Sequence, residues 1–304
     1  MFSQGQLRYF VTVSEEGQIT RAAKRLHLAQ PALSQAIAQL EAELGVELLV
    51  RHPRGVTLTS AGEAFLVKAR AVLAAEAETA QMALSLRRAE NDAIAIGFIG
   101  PPPAISTPEL FSAFKERNPQ AQVSFMDLSF PRGRTSSWLA AVDVAFCHAP
   151  LSEPSLCAQP VRVEPRALVA HREHALACRS ELALADVLDE TFISYHPDVQ
   201  AEWAGFHSLD DHRGGPPGSV TSDHALTTLQ MLGILFSAST PAITIVPHKD
   251  AKLAQQVLPD IVAVPLDDAA PAVVSLIWRE DQSSSLVEGL VDAAKRLTSR
   301  DDEL

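Results

Sequence analysis

The chain has 304 residues, 47% hydrophobic and 20% charged, with a net charge of −12 and three cysteines. That length exceeds one ordinary core and predicts two or three globular domains. No apolar run is long enough to cross a bilayer and no secretory leader pattern stands at the N-terminus. Cys147, Cys157 and Cys178, odd in number and without CxxC spacing, suit a reducing, cytoplasmic setting rather than a disulfide scaffold.

Leu7, Phe10 and Val11 recur at i, i+3 and i+4 and predict a first helix that Gly17 stops. Thr20 is placed as the cap of a second helix, which packs through Ile19, Ala22, Ala23 and Leu26. A third helix opens at Gln30-Pro31, where a missing N–H costs nothing, and Gly45 ends it as a left-handed cap. Its apolar stripe is Leu33, Ile37, Leu40 and Leu44. The opposite face carries Pro31, Ser34, Gln35 and Ala38, none charged. An ordinary solvated face would hold more Glu and Lys, whereas this one suits close approach to base edges. Gln pairs two-pronged with adenine, Ser with several bases, and Ala touches a thymine methyl. A ribbon follows as Leu48–Arg51, a turn at Pro53-Arg54-Gly55, and Val56–Thr59. It crowds Arg51, His52 and Arg54 at its tip, for phosphates or the minor groove. Together these pieces predict a winged helix-turn-helix, with Thr20, Arg21, Gln30, Pro31, Ser34, Gln35, Ala38, Arg51 and Arg54 as the DNA-binding residues.

Ser60-Ala61-Gly62-Glu63 reads as a capping box, and Ala-rich sequence without Pro or Gly then continues to about Glu90. The seam Phe65, Ala69, Val72, Glu76, Thr79, Ala83 and Leu86 is widened by Leu66, Leu73, Ala80 and Leu84. Glu76 and Thr79 interrupt it, which argues against a strong parallel coiled coil but still leaves a broad apolar face in need of a partner. Charge divides unevenly along the chain. Residues 1–60 hold six basic and five acidic side chains, residues 61–90 four of each, and the remainder fifteen basic against twenty-eight acidic. A DNA-reading part with only +1 should bind weakly alone, and a second copy would supply the deficit.

Strand and helix signals alternate from Ala93 onward. Strands are predicted at 93–98, 122–127, 142–147, 166–170, 191–195, 243–246, 261–265 and 273–278. Helices are predicted at 108–118, 185–188, 199–206, 224–235 and 283–298, and Gly205–Gly218 reads as loop. The alternation argues for an α/β domain with largely parallel sheets.

The N-terminal residues resemble the LysR-type transcriptional regulators. Arg21-Ala22-Ala23, Gln30-Pro31-Ala32-Leu33-Ser34, Leu40-Glu41-Ala42-Glu43-Leu44-Gly45 and Leu58-Thr59-Ser60-Ala61-Gly62 match that family's pattern over the first sixty-odd residues. Leu48-Leu49-Val50-Arg51 departs from its usual Leu-Phe-x-Arg but keeps an apolar wing anchor. Further on, Val142-Asp143-Val144-Ala145-Phe146 and His174-Ala175-Leu176-Ala177 match more weakly. The resemblance implies three parts: a DNA-binding domain at 1–60, a linker and dimerisation helix at 61–90, and an effector-binding domain at 91–304. The last would be two-lobed and periplasmic-binding-protein-like. Lobe 1 would cover about 91–163 and 267–304, and lobe 2 about 164–266, with crossovers near Val161–Glu164 and Ala263–Leu266. It further implies a homodimer through the 60–90 helix, a homotetramer, double-stranded promoter DNA as partner, and a small-molecule effector in the inter-lobe cleft.

Strand ends and helix N-termini facing such a cleft nominate Gly100, Ser106, Thr107, His148, Ser194, Tyr195, Ser222, Asp223 and Thr244 as effector-binding. Relatives often carry Ser or Thr where this chain has Gly100-Pro101-Pro102-Pro103, a segment without side-chain donors, which argues against a carboxylate effector. Ser106 and Thr107 are the candidate substitutes for those donors, although Thr107 reads equally well as the cap of the helix that follows. His148, His196 and His224 match no compact metal-ligand spacing, so neither a metal nor a cofactor is expected. Two alternatives are weighed: a redox-responsive regulator acting through Cys147 with a degenerate pocket, and a Cys/His hydrolase, for which no catalytic signature is present.

Overall fold

Leu7, Phe10 and Val13 are buried on one face of helix α1 (Gln4–Glu16) and anchor the N-terminal core, with Val11 half-buried beside them. The computed structural model describes residues 2–103, 107–133, 136–148, 153, 155–237, 241–282 and 284–301. It divides into two units, Met1–Ala80 and Gln81–Leu304.

In the first unit Ser3 caps α1 through a reciprocal bond with Gln6, and Gly17 ends the helix at φ 63. Helices α2 (Ile19–Arg25) and α3 (Gln30–Leu44) close the core with Ala22, Ala23, Leu33, Ile37 and Leu40. Gly45 ends α3 at φ 70, as expected of a left-handed cap. Thr20 is not the cap of α2. The helix starts two residues earlier, at Ile19, with Gln18 at the cap position and no side-chain cap bond, so Thr20 lies exposed in the first turn.

Strands β1 (Leu49–His52) and β2 (Gly55–Leu58) pair antiparallel from Leu49↔Leu58 to His52↔Gly55 around a two-residue turn. Val56 N donates to Gly17 O at 2.8 Å and fixes the ribbon to the turn before α2. Gly55 is required there. Its φ is 150, and a Cβ would lie 2.3 Å from the Gly17 carbonyl oxygen.

Helix α4 (Ser60–Glu90) is capped by Thr59 rather than Ser60: Thr59 Oγ1 accepts from Gly62 N at 2.9 Å and donates to Glu47 O. Phe65, Leu66, Ala69 and Leu73 pack on the three-helix core, while Val67, Val72, Met82, Leu84 and Leu86 stay exposed.

The second unit contains two five-stranded sheets. Elements of the first are β3 (Ala93–Phe98), α5 (Pro108–Arg117), β4 (Gln122–Asp127), β5 (Val144–Cys147) and β6 (Leu156–Glu164). The chain then enters the second through β7 (Arg166–His171), α6 (Leu184–Val187), β8 (Phe192–Tyr195), α7 (Ala201–Ser208), α8 (Asp210–Arg213) and β9 (Val220–Ala225). It continues through α9 (Thr228–Ser237), β10 (Ile243–Pro247), α10 (His248–Val257) and β11 (Ile261–Pro265), and returns with β12 (Ala272–Arg279) and α11 (Ser285–Asp301). The strand orders are β4-β3-β5-β12-β6 and β11-β7-β10-β8-β9.

Several expectations need correction. The sheets are mixed rather than largely parallel, because the crossing strands β6, β7, β11 and β12 pair antiparallel while β3, β4 and β5 in one sheet and β8, β9 and β10 in the other form the parallel pairings. Residues 220–225 are strand, and the helix predicted from 224 starts at Thr228. Strand β6 and helix α10 were not expected. The stretch read as loop from Gly205 holds the end of α7 and the short helix α8, which follows a left-handed Leu209. Alternating exposure hid β6, and the Gly-Pro-rich residues 214–218 concealed the helical turn before them.

Asp143 lies at the start of β5, buried, and accepts four bonds: from Ser85 Oγ, Arg88 Nε, Arg88 Nη2 and Ala95 N, all at 2.7–2.8 Å. It ties the last turns of α4 to the first lobe. Among the described residues no helix is long and apolar enough to cross a membrane.

Candidate nucleic-acid interface and ligand cleft

Helix α3 turns its apolar stripe inward, which leaves Gln30, Pro31, Gln35 and Ala38 exposed and Ser34 half-exposed on the opposite side. Arg51 and Arg54 are exposed on the ribbon, and Arg21 is exposed on α2 with an ion pair to Glu16 at 3.2 Å. Arg51 does not stand out at the tip. Its Nη1 donates to Ser34 Oγ at 2.9 Å, so strand β1 holds this cation against the N-terminal half of α3. Arg54 occupies the turn, where its carbonyl oxygen accepts from Gln18 Nε2. A shallow groove lined by Thr20, Arg51, His52 and Arg54 runs between α2 and the ribbon. The arrangement offers an uncharged helix face flanked by cations, as phosphate anchoring around a base-reading helix requires.

The second unit has a cavity of about 270 Å³ between its lobes. Ile99, Gly100, Pro101, Pro102 and His148 line it from the first lobe. From the second come Val169, Trp203, His207, Met231, Leu232, Val246 and the α10 face Asp250, Leu253, Ala254 and Val257. Phe130 stacks on Trp203 with centroids 4.2 Å apart, and Trp203 packs on His207 at 4.0 Å.

Two bonded histidines form one polar part of this wall. His148 Nε2 lies 3.1 Å from His207 Nε2, and His207 Nδ1 lies 2.6 Å from the Ile245 carbonyl oxygen. A carbonyl only accepts, so His207 carries its proton on Nδ1 and must accept at Nε2. His148 therefore donates from Nε2 and keeps Nδ1 as an acceptor. Burial, reinforced by Arg162 and Arg166, lowers the His148 pKa to about 3. Burial and the neighbouring His148 hold His207 well below the ordinary histidine value. Both rings are neutral at physiological pH.

A cation beside the cleft is already committed. Arg162 on β6 donates to Glu164 Oε1 at 2.7 Å, to Asp250 Oδ1 at 2.5 Å and to Thr107 Oγ1 at 3.2 Å. Asp250 sits on α10, so this ion pair bridges the two lobes. Burial raises Asp250 to about 6 against the pull of Arg162, and Glu164 pushes in the same direction as burial.

The residues expected at the cleft separate into groups. Gly100 and His148 line it. Tyr195 and Thr244 bond to each other at 2.9 Å, and Tyr195 packs on Phe130, Trp203 and His207 without lining the cavity itself. Thr107 holds Arg162 and makes no cap bond to α5. Ser194 bonds His224 at 2.7 Å away from the cavity. Ser222 and Asp223 are exposed on strand β9, because the helix whose N-terminus they were meant to occupy starts later; Thr228 lines the cavity instead. Ser106 lies outside the described residues. His207, Trp203, Arg162 and Asp250 were missed. Only Trp203 carried a local signal, its spacing from Val199 and Phe206.

Cys147 is 2% exposed within the inter-lobe core, and none of the three cysteines is in a disulfide among the described residues. His196 Nδ1 accepts from Asp198 N, and among the described residues no group of three or more His, Cys, Asp or Glu is placed to hold a metal.

Residues 5–63 match the family described as bacterial regulatory helix-turn-helix protein, lysR family, and residues 87–299 match the LysR substrate binding domain. The chain is 30% identical to the HTH-type transcriptional regulator AlsR of Bacillus subtilis, over 81% of each chain. It is 28% identical to BudR of Raoultella terrigena over 94% of this chain and 98% of that one. The crystal structure of CbnR, a LysR family transcriptional regulator, superposes with a TM-score of 0.54 at 24% identity, covering 97% of this chain and 99% of that chain; at that identity the likeness speaks for the fold. The chain belongs to the LysR family of DNA-binding transcriptional regulators, which are not enzymes.

Proposed function

We propose that this regulator reads a specific promoter sequence through α3 and that a small molecule held between its lobes controls it. The observation that carries the reading is the uncharged, exposed face of Pro31, Ser34, Gln35 and Ala38 with Arg51 fixed against it. The bond between Arg51 and Ser34 presets the guanidinium beside the helix that enters the groove.

Two copies are needed. The first unit has almost no net positive charge, and helix α4 exposes Val67, Val72, Met82, Leu84 and Leu86. A homodimer through residues 60–90 covers these side chains and brings a second reading head to the same duplex; a homotetramer brings four. The setting is the cytoplasm. Asp143 supplies a route for control, because its bonds to Ser85 and Arg88 join the end of α4 to the first lobe. A ligand that prefers one lobe angle shifts the population of that state and moves α4 with it.

Footprinting with a salt titration tests the DNA reading. Gln35→Ala should relax base preference at one position, by about 1–3 kcal/mol, without changing the salt slope. Arg54→Ala should weaken binding to every sequence alike. Unchanged affinity in both variants would refute the assignment.

A further inference from the structure

The cleft sorts ligands by charge. Among the described residues its walls are apolar side chains and proline rings, with polar capacity confined to His148, His207, Thr228 and Asp250. None of these is a cation: the histidines are hydrogen-bonded as neutral tautomers. The guanidinium that could receive an anion, Arg162, already meets two carboxylates and a hydroxyl, and is 12% exposed. A carboxylate entering here would lose its water, find no free positive partner among the described residues and face Asp250. A cationic amine fares little better, since the Asp250 carboxylate is engaged by Arg162. What the histidine pair has left is a single acceptor, His148 Nδ1.

We propose that the effector is an uncharged, flat, mainly apolar molecule of one substituted or two fused rings, carrying one hydroxyl or N–H that donates to His148. This rests on the reading that the inter-lobe cleft holds the effector. The size follows from the volume: a dry apolar cavity of about 150 Å³ takes up benzene, and this one is about 270 Å³. Trp203, Phe130 and Met231 supply the flat and polarisable surfaces that favour a ring. The Arg162–Asp250 bridge then keeps the lobes in register and excludes anions.

The test titrates the full-length protein, by calorimetry and thermal shift, with p-cresol and 2-naphthol and with their carboxylate counterparts p-toluate and 2-naphthoate. Each neutral probe should bind at least about tenfold more tightly than its carboxylate partner. Asp250→Asn, which removes the charge opposing an anion and loosens the hold on Arg162, should narrow that gap. Carboxylates binding as tightly as the neutral probes to the unaltered chain would overturn the charge argument, as would the failure of both neutral probes up to their solubility limits. Ala254→Phe separates this from the location of the site, because Ala254 lines the cavity and the larger ring fills it. Loss of 2-naphthol binding in that variant supports the cleft. Unchanged binding overturns the cleft itself whatever the charge preference, and Leu232→Phe repeats the filling from α9 if the first variant does not fold.

Discussion

Two arginines of the first unit and three of the second share one guanidinium chemistry and have opposite surroundings. Arg51 and Arg54 are exposed on a short ribbon, where water screens them and a phosphate can approach. Arg88, Arg162 and Arg166 have side chains only 20%, 12% and 5% exposed, and each is matched to a carboxylate at 2.7 Å or less. An exposed cation remains available to attract a polyanion over a Debye length. A buried and matched one is no longer available; it fixes geometry and keeps other charges out. On the function proposed above, one chain uses the same side chain to recruit anions at one end and to refuse them at the other.

Breaking a buried pair should have the largest effect. Asp143→Ala leaves Arg88 and the Ala95 N–H without their acceptor and should destabilise the second unit by about 3–5 kcal/mol. Urea unfolding followed by tryptophan fluorescence reads this unit alone, because Trp138, Trp203 and Trp278 all lie in it. A shift within error would show that the carboxylate is dispensable.

Acidification should come next. His148 titrates near 3 when folded and near 6.5 when unfolded, so its contribution is fully present above about pH 6.5 and is lost as pH falls towards 3. By pH 5 that is about 2 kcal/mol, and His207 adds to the loss. Asp250 works the other way. Raised from 3.8 to about 6, it favours the folded state most below pH 3.8 and loses that effect as pH rises through 6, so it returns about 1 kcal/mol at pH 5. The urea midpoint should therefore fall between about pH 7.5 and pH 5, and fall more steeply in Asp250→Asn. A flat profile would contradict buried neutral histidines.

On the exposed side the same size of effect needs backbone, not charge. Gly55→Ala should destabilise the first unit by about 1–3 kcal/mol, since it forces a Cβ against the Gly17 carbonyl in a strained backbone region. Circular dichroism of the helical signal would register it, and wild-type unfolding would mean the ribbon can move away. Smallest of all, Arg54→Ala should change stability by no more than about 0.5 kcal/mol. It should nevertheless reduce the slope of log affinity against log salt by about 1. An unchanged slope would remove Arg54 from the phosphate contacts.

The two regions also differed in how much could be read beforehand. The first unit is built from contacts close in sequence, so stripes such as Leu33, Ile37 and Leu40 and stops such as Gly17 and Gly45 foretold α1, α3 and the ribbon. Its errors were shifts of one or two residues at caps: Gln18 for Thr20, and Thr59 for Ser60. In the second unit most strands were legible from apolar runs, but β6 and β9 have exposed, alternating side chains and were missed. Losing β9 displaced the helix after it, which is why Ser222 and Asp223 were placed at a cleft they do not line.

Sequence by itself determined that this is a helix-turn-helix regulator of the LysR family, with its reading helix at Gln30–Leu44 and its acidic load after residue 90, because period and local composition encode those features. Only the tertiary structure decided what the cleft holds out to a ligand. The pairs that neutralise it join residues 59 and 88 positions apart, His148 to His207 and Arg162 to Asp250. No local pattern states that two such side chains will meet, since their charge and tautomer are set by the burial that folding imposes on both.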